Sequence, residues 1–349
     1  MVIIGTDSHK RSHTFVAVDD VGRVLDERTL GTTTEGHLEA LRWAETWAER
    51  CWAIEDCRHL TRRLESDLLV RGETVVRVPT KLMAAERRGG REQGKSDPID
   101  ALAVARAALR EPDLPVAHLD GPARDLKLLV DHREDLVVER GRAQSRLRWH
   151  LHELVPGFVL PPRSLRCAHV FTEVREELSG LEGTVARLAR ELLAQIEDLT
   201  VRVNSLQKEI TELVTGVAPG LLALPGCGPL SAAKIVGEAA GASRFKSRAA
   251  FARWNGTAPI PVWSGSTNFR LNRGGNRQVN AALHRIAITQ ARGCGPGQSY
   301  VEARMAEGDT KRGALRMLRR RLSDEVFRRL LSDEVASTRC ADGGTPVAA

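Results

Sequence analysis

Four acidic residues, Asp7, Glu55, Asp97 and Asp100, are of the type that holds divalent cations. Hard cations such as Mg2+ take carboxylate oxygens, and two of them about 4 Å apart can clamp the attacking and leaving oxygens of a phosphodiester exchange. Four carboxylates brought together are difficult to keep ionised without such cations. The run Asp97-Pro98-Ile99-Asp100 has a plainer reading, in which Asp97 caps a helix, Pro98 takes its first position and Asp100 its third. It becomes a metal-site candidate only if Asp7 and Glu55 are carried to the same place. A serine beside a glycine, as at Ser264 and Gly265, is common and by itself marks no nucleophile. A serine hydroxyl needs a base or a metal-polarised phosphate before it attacks. No G-x-S-x-G elbow surrounds it, which leaves acyl-transfer hydrolysis without support. His9 and His13 form an H-x-x-x-H spacing across a predicted turn, not on one helical face, and read as surface or phosphate-contacting residues instead of metal ligands.

Residues 2–7, 13–19 and 23–30 are short apolar or alternating runs separated by His9-Lys10-Arg11-Ser12 and Asp20-Val21-Gly22, a pattern that predicts an antiparallel three-strand meander. A helix within 33–50, a buried strand at Cys51–Glu55, a helix over 59–70 and a strand over 74–78 are expected to follow. Three strands and then alternating helices and strands predict an α/β domain with a mixed sheet, in the order of the ribonuclease H-like fold. Where the first and fourth strands of such a sheet are neighbours, Asp7 and Glu55 at their ends converge. An acidic helix start laid beside them completes the cluster.

From 122 to 215 the pattern is helical and charged. Leu181, Val185, Leu188, Leu192, Ile196, Leu199, Val203, Leu206, Ile210 and Leu213 step by three or four, the seam of a helical hairpin or coiled coil that needs a partner helix. Pro156, Pro161 and Pro162 divide the helical arms. Residues 216–335 are expected to form a mainly α-helical C-terminal domain, and 336–349 a disordered tail. The run Leu224-Pro225-Gly226-Cys227-Gly228-Pro229-Leu230 has the form of a helix-hairpin-helix turn, which presents backbone N–H groups to a phosphate without reading sequence.

Between Arg270 and Leu330 there are 14 basic residues against 5 acidic, and Arg270, Arg273, Arg277, Arg319, Arg320 and Arg321 are expected to contact nucleic-acid phosphates. The whole chain of 349 residues has 52 Lys and Arg against 45 Asp and Glu, a formal charge of +7 that suits a polyanionic partner. A hydrophobic fraction of 42% and a charged fraction of 28% exclude a chain that is disordered throughout. With only 7 Phe, 6 Trp and 1 Tyr, stacked bases on aromatic platforms are not expected to dominate nucleic-acid contact. Six scattered cysteines without a C-x-x-C pair read as reduced thiols in a cytoplasm, and no run of about 18 apolar residues suggests a membrane span.

Asp7, Glu55 and the K-S-D-x-x-D-A run of Lys95–Ala101 resemble the DEDD signature of transposases of the insertion sequence 110 family (116/902 group), whose first domain is like the Holliday-junction resolvase RuvC. The L-P-G-x-G-P run at Leu224–Pro229, S-G at Ser264 and Gly265, G-N-R at Gly275–Arg277 and L-R-R-R-L-S-D at Leu318–Asp324 resemble that family's C-terminal transposase domain, in the same order along nearly the whole chain. The resemblance implies a DNA recombinase that excises and inserts its own element, guided by a structured bridge RNA that pairs with donor and target DNA. It implies that Asp7, Glu55, Asp97 and Asp100 ligate two Mg2+ ions and that Ser264 forms a transient phosphoserine link to DNA, within a dimer or dimer of dimers at the nucleoid. Ser266 offers a second register for the nucleophile, and Asp56-Cys57-Arg58 stands where a glycine is usual after the glutamate. Joining these expectations gives a composite site, with Ser264 attacking a phosphate polarised at the carboxylates and the helical stripe pairing with another chain. Two further readings use the same residues. One is a RuvC-like structure-selective DNA endonuclease with water as nucleophile, and the other an architectural DNA-binding protein with no need of divalent metal.

Overall fold

The structure is a computed structural model that describes residues 1–89, 96–111, 114, 116–117, 121–264, 266–272 and 274–341. Backbone packing divides the chain into two compact units, Met1–Asp120 and Gly121–Ala349.

The first unit contains β1 (Val2–Ser8), β2 (Ser12–Val18), β3 (Val24–Gly31), α1 (Thr34–Ala44), β4 (Arg50–Glu55), α2 (Arg58–Val70), β5 (Val75–Val78), α3 (Thr80–Gly89) and α4 (Asp97–Arg110). The sheet order is β3-β2-β1-β4-β5; the first three strands are mutually antiparallel, β4 runs parallel to β1, and β5 parallel to β4. This is the mixed sheet expected of the ribonuclease H-like order. Side chains alternate across each strand, so one face of the sheet buries Ile4, Phe15, Ala17, Trp52 and Ile54 with residues of α1 and α2. The other face buries Ile3, Val16, Val18, Cys51 and Ala53 against Ala101, Val104 and Ala105 of α4. The interval of two from Ile3 and Ala53 puts Gly5, Asp7 and Glu55 on this second face. A Cβ on Gly5 would lie 2.1 Å from the Ala101 carbonyl oxygen and 2.6 Å from the Ala105 nitrogen, so only glycine lets α4 lie directly on β1. The contact brings the start of α4 to the carboxyl end of β1.

The second unit contains α5 (Pro122–Leu154), α6 (Ala168–Glu177), α7 (Thr184–Val217), α8 (Pro219–Leu222), α9 (Pro229–Ala239), α10 (Arg248–Trp254), the hairpin β6 (Ile260–Ser264) and β7 (Ser266–Arg270), α11 (Arg277–Ala291), α12 (Gly297–Ala306) and α13 (Lys311–Ala341). At 33 and 34 residues, α5 and α7 are each about 50 Å long. The seam expected on α7 is filled from within the chain, since α5 lies along it and Leu136 packs with Leu199 and Val203. The buried face is Ala186, Ala189, Leu193, Ile196, Leu199, Val203, Ile210 and Val214. It therefore agrees with the expected stripe at Ile196, Leu199, Val203 and Ile210, leaves the expected Leu206 half-buried, and lies one residue later than expected before Ile196 and at Val214. Pattern reading gave weight to Val185, Leu188 and Leu192, whereas close packing selects the small Ala186 and Ala189. Pairing with another chain is thus not needed to cover this stripe.

Residues 122–215 and 216–335, expected as separate regions, share one core in which Leu126, Val130, Ile210 and Val214 pack with Leu221, Ile235, Phe251, Leu283 and Val326. The C-terminal region is mainly α-helical, as expected, with one added β-hairpin, and α13 continues through 336–341, which were expected in the disordered tail. Earlier on α13, the buried Asp333 carboxylate accepts hydrogen bonds from the Gly220 and Leu221 amides at 2.9 and 3.2 Å. Residues 342–349 lie outside the described residues. Among the described residues no helix is long and apolar enough to cross a membrane, and Cys51, Cys57, Cys167, Cys227 and Cys294 are free thiols.

Candidate active site

Asp7 sits near the end of β1, 7% exposed, and its Oδ2 is buried without a hydrogen-bond partner. Two residues on, at the start of the β1–β2 turn closed by the His9 amide to the Ser12 carbonyl at 3.0 Å, His9 turns back toward it. His9 Nδ1 lies 3.4 Å from Asp7 Oδ2 and 3.9 Å from Asp97 Oδ2. The donor atoms of these three residues all fall within 4.8 Å of one another. Asp100 is buried one turn further along α4, where Arg87 Nη1 donates to its Oδ1 at 3.1 Å. Glu55 ends β4, whose parallel register sets Ile54 beside Thr6 and so places Glu55 level with Asp7.

Burial pushes the Asp7 carboxyl up to about 6; His9 opposes the shift, while Asp100, Asp97 and Glu55 all reinforce it. All three other acids therefore act on Asp7. Burial, then the charges of Glu55 and Asp7, push the Cys57 thiol beside them up to about 11, so it stays protonated and is no nucleophile at neutral pH. Excess negative charge, oxygen donors and one orphaned buried carboxylate oxygen are the features a divalent cation satisfies.

The helix start differs from the sequence expectation by one position. Ser96 is the N-cap residue, Asp97 is already helical, and the Asp100 amide donates to the Ser96 carbonyl at 3.0 Å. The shift frees the Asp97 carboxylate from capping and lets it face Asp7 and His9. His9, expected as a surface or phosphate-contacting residue, is turned toward the carboxylates instead. The signal for it was the period of two, since Gly5, Asp7 and His9 share one strand face. His13 projects to the opposite face, where it is buried and stacks on His37 with ring centroids 5.4 Å apart. The two histidines of the H-x-x-x-H spacing are therefore on opposite sides of the sheet.

In the second unit, Ser264 ends β6 and Ser266 begins β7, paired across the hairpin tip; Gly265 lies outside the described residues. The hairpin projects, with Phe269 63% exposed. Its base is closed by two glycines: Gly256 has φ +75°, and a Cβ on Gly275 would lie 2.3 Å from the Gly256 nitrogen. The fully buried Asn255 secures the same point. Its Nδ2 donates to Ser323 Oγ at 2.8 Å, its Oδ1 accepts from Thr257 Oγ1 at 2.7 Å, and its carbonyl accepts from Asn280 Nδ2 at 3.0 Å.

Of the six arginines expected at phosphates, Arg273 lies outside the described residues. Arg270 and Arg277 are exposed. Arg319 donates to Asn280 Oδ1 at 2.8 Å, Arg320 pairs with Asp324, and Arg321 stacks 4.4 Å over the Tyr300 ring. Burial, then the guanidiniums of Arg316 and Arg277, lower the pKa of Arg319. Arg277, Arg316 and Arg319 thus form one cationic cluster, in which Arg316 was not singled out from the sequence. Nearby in the chain, Leu222–Gly228 with Thr289 line an open depression at the start of α9, and Gly226 has φ +80°.

Residues 4–156 match a DEDD transposase family model of the IS110 type, and residues 218–302 match the model described as transposase IS116/IS110/IS902 family. The chain is 26% identical to an uncharacterized 44.8 kDa protein of insertion element IS116 from Streptomyces clavuligerus, over 93% of this chain and 93% of that protein. It is 26% identical to an uncharacterized 42 kDa protein of insertion element IS900 from Mycobacterium paratuberculosis, over 91% and 93% of the two chains. Among solved structures it is similar to RuvC of Thermus thermophilus in complex with a Holliday junction substrate, at 17% identity and a TM-score of 0.26, over 32% of this chain and 95% of that one. With one model matched by the carboxylate-bearing stretch and the other by the stretch that carries Ser264, the chain belongs to the IS116/IS110/IS902 family of transposases.

Proposed function

We propose that this transposase cuts and rejoins DNA in a Mg2+-dependent reaction through a covalent link to Ser264, directed to its donor and target sites by a bridge RNA. The observation that carries the metal half is the buried, unpartnered Asp7 Oδ2 among four acids. Asp7, Glu55, Asp97 and Asp100 would hold two Mg2+ ions, which supply Lewis-acid polarisation of the scissile phosphate when bound. Ser264 is the nucleophile: a bond forms from its Oγ to phosphorus while the bond from phosphorus to the departing deoxyribose oxygen breaks. The serine proton leaves with the released strand end, which becomes a hydroxyl. Attack by a hydroxyl of the second DNA reverses these changes and frees the serine.

The other residues bind. Arg277, Arg316 and Arg319 offer three guanidiniums to the DNA or RNA backbone. The turn at Leu224–Gly228 works as a helix-hairpin-helix element, giving amides at the start of α9 to a phosphate. Dimers or dimers of dimers assemble on nucleoid DNA in the cytoplasm.

The test uses protein purified from its native host, DNA carrying both sites, and denaturing gels. Asp7→Asn should bind DNA and fail to cleave it in Mg2+. Cleavage within tenfold of wild type would sink the metal assignment. Ribonuclease treatment should abolish sequence-specific exchange, and full specific activity of RNA-free protein would reject the guide. Cleavage without any protein–DNA adduct would replace serine attack with hydrolysis by water.

A further inference from the structure

The carboxylate cluster contains one donor that is not a carboxylate. His9 Nδ1, and not a solvent-facing edge of the ring, is the atom turned toward Asp7 and Asp97, at 3.4 and 3.9 Å from their Oδ2 atoms. Neither distance comes with a hydrogen bond, and Asp7 Oδ2 is left without one although Asp7 is more than nine-tenths buried. An ion pair with a ring that is 52% exposed would be screened by solvent and would leave that oxygen unsatisfied. A shared cation satisfies all three atoms. Donors about 2.2 Å from an octahedral ion stand about 3.1 Å apart when adjacent and about 4.4 Å when opposite. Both His9 distances fall between those values, and all three donor atoms lie within 4.8 Å of one another.

The strand explains how the imidazole gets there. Gly5 admits α4 onto the sheet, Asp7 follows on the same face, and His9 follows again at the next interval of two, just where the chain turns. His13 cannot substitute, because it is on the other face against His37. Nitrogen matters to the choice of ion. Imidazole suits first-row transition metals, whereas Mg2+ prefers oxygen and retains water.

We infer that His9 is a metal ligand, binding through Nδ1 the same divalent cation as Asp7 and Asp97, and that it gives this one position a preference for Mn2+ over Mg2+. The inference rests on the carboxylate reading above, and the two can fail separately.

The experiment uses the full-length protein and Mn2+ as the probe. Binding is counted by the loss of the free-ion electron paramagnetic resonance signal, and ligand nitrogen is read by pulsed resonance on the bound ion. Wild type should bind Mn2+ and show coupling to a directly bonded 14N, which changes to the 15N pattern when the protein is grown with 15N-histidine. His9→Asn should lose the coupling and bind Mn2+ about tenfold more weakly. Competition by Mg2+ should change by less than about threefold. Bound Mn2+ without nitrogen coupling in wild type, or coupling that survives in His9→Asn, overturns His9 as a ligand while the carboxylates stand. Wild type that fails to take up Mn2+, or an Asp7→Asn variant that binds as well as wild type, overturns the carboxylate reading itself.

Discussion

Replacing Asp7 with Asn should stabilise the metal-free protein, and the size and pH dependence of the gain follow from its surroundings. Burial, reinforced by Asp100, Asp97 and Glu55, raises the Asp7 carboxyl from 3.8 to about 6. At about 1.4 kcal/mol per pH unit, holding it ionised in the folded chain costs roughly 3 kcal/mol. Because the folded value is above the unfolded one, this contribution to stability is fully present below about pH 4 and is lost as pH rises through about 6. Asn has the shape of the neutral acid and carries no titrating proton. The difference in stability between Asp7→Asn and wild type should therefore be small at pH 4 and reach roughly 3 kcal/mol at pH 8. For a unit of this size that is a rise in melting temperature of roughly 10 °C. Thermal unfolding followed by circular dichroism in chelator, from pH 4 to pH 8, measures it. Added Mg2+ or Mn2+ should then narrow the gap, since a ligand at 100 times its Kd stabilises wild type by about 2.7 kcal/mol. Equal melting temperatures at pH 8 in chelator, or a gap that does not change with pH, would refute the account of Asp7 as a charge held against its environment.

Ser264→Ala should abolish the covalent protein–DNA adduct on denaturing gels while Ser266→Ala keeps it, and the opposite result would move the nucleophile to Ser266. Arg277→Ala with Arg316→Ala should weaken nucleic-acid binding for every sequence and flatten the slope of log affinity against log salt by about 2 units; an unchanged slope would show that these guanidiniums do not meet phosphates. Gly5→Ala should cost about 3 kcal/mol or more and greatly weaken metal uptake, because the new Cβ would overlap the backbone of α4 at Ala101; a well-folded variant with normal metal affinity would contradict the packing. Burial, then His37 and His9, push His13 down to about 4 from 6.5, so its contribution is present above about pH 6.5 and is lost as pH falls through about 4, worth roughly 3 kcal/mol. In the Asp7→Asn background this acid-side loss should be visible in melting curves, and His13→Gln should remove it.

The first unit was legible because its strands are short and bounded by turn residues, and because period-two alternation determines which side chains share a face. Asp7 and Glu55 converge for that reason. The same rule applied past Ser8 would have reached His9, which the predicted turn hid. The start of α4 was misread by one residue because Asp97 and Ser96 are both good caps. On α7, Ala186 and Ala189 face the interior at the expense of larger neighbours, a choice made by the close approach of packed helices that hydrophobicity does not record. The hairpin was missed because Pro259 and Pro261 argue against strand, and a two-stranded projecting ribbon tolerates what a central strand would not. The Arg277–Arg316–Arg319 cluster joins residues about 40 positions apart, which only folding brings together.

The clamp at Gly256, Gly275 and Asn255 makes the serine hairpin a cantilever fixed at its base, with Val262 and Phe269 exposed along its strands. Four strand steps from Ile260 to Ser264 give an arm of about 13 Å. Its reach and its facing are therefore set in discrete units. Removing one residue from β6 would shorten the arm by about 3.3 Å and turn the serine to the opposite side. Adding two residues to each strand would carry it about 7 Å farther out with its facing kept and the clamp untouched. If Ser264 is the proposed nucleophile, the distance over which the hairpin would carry it is in that sense a dial separate from the body that bears it, open to lengthening by insertion without repacking a single core residue.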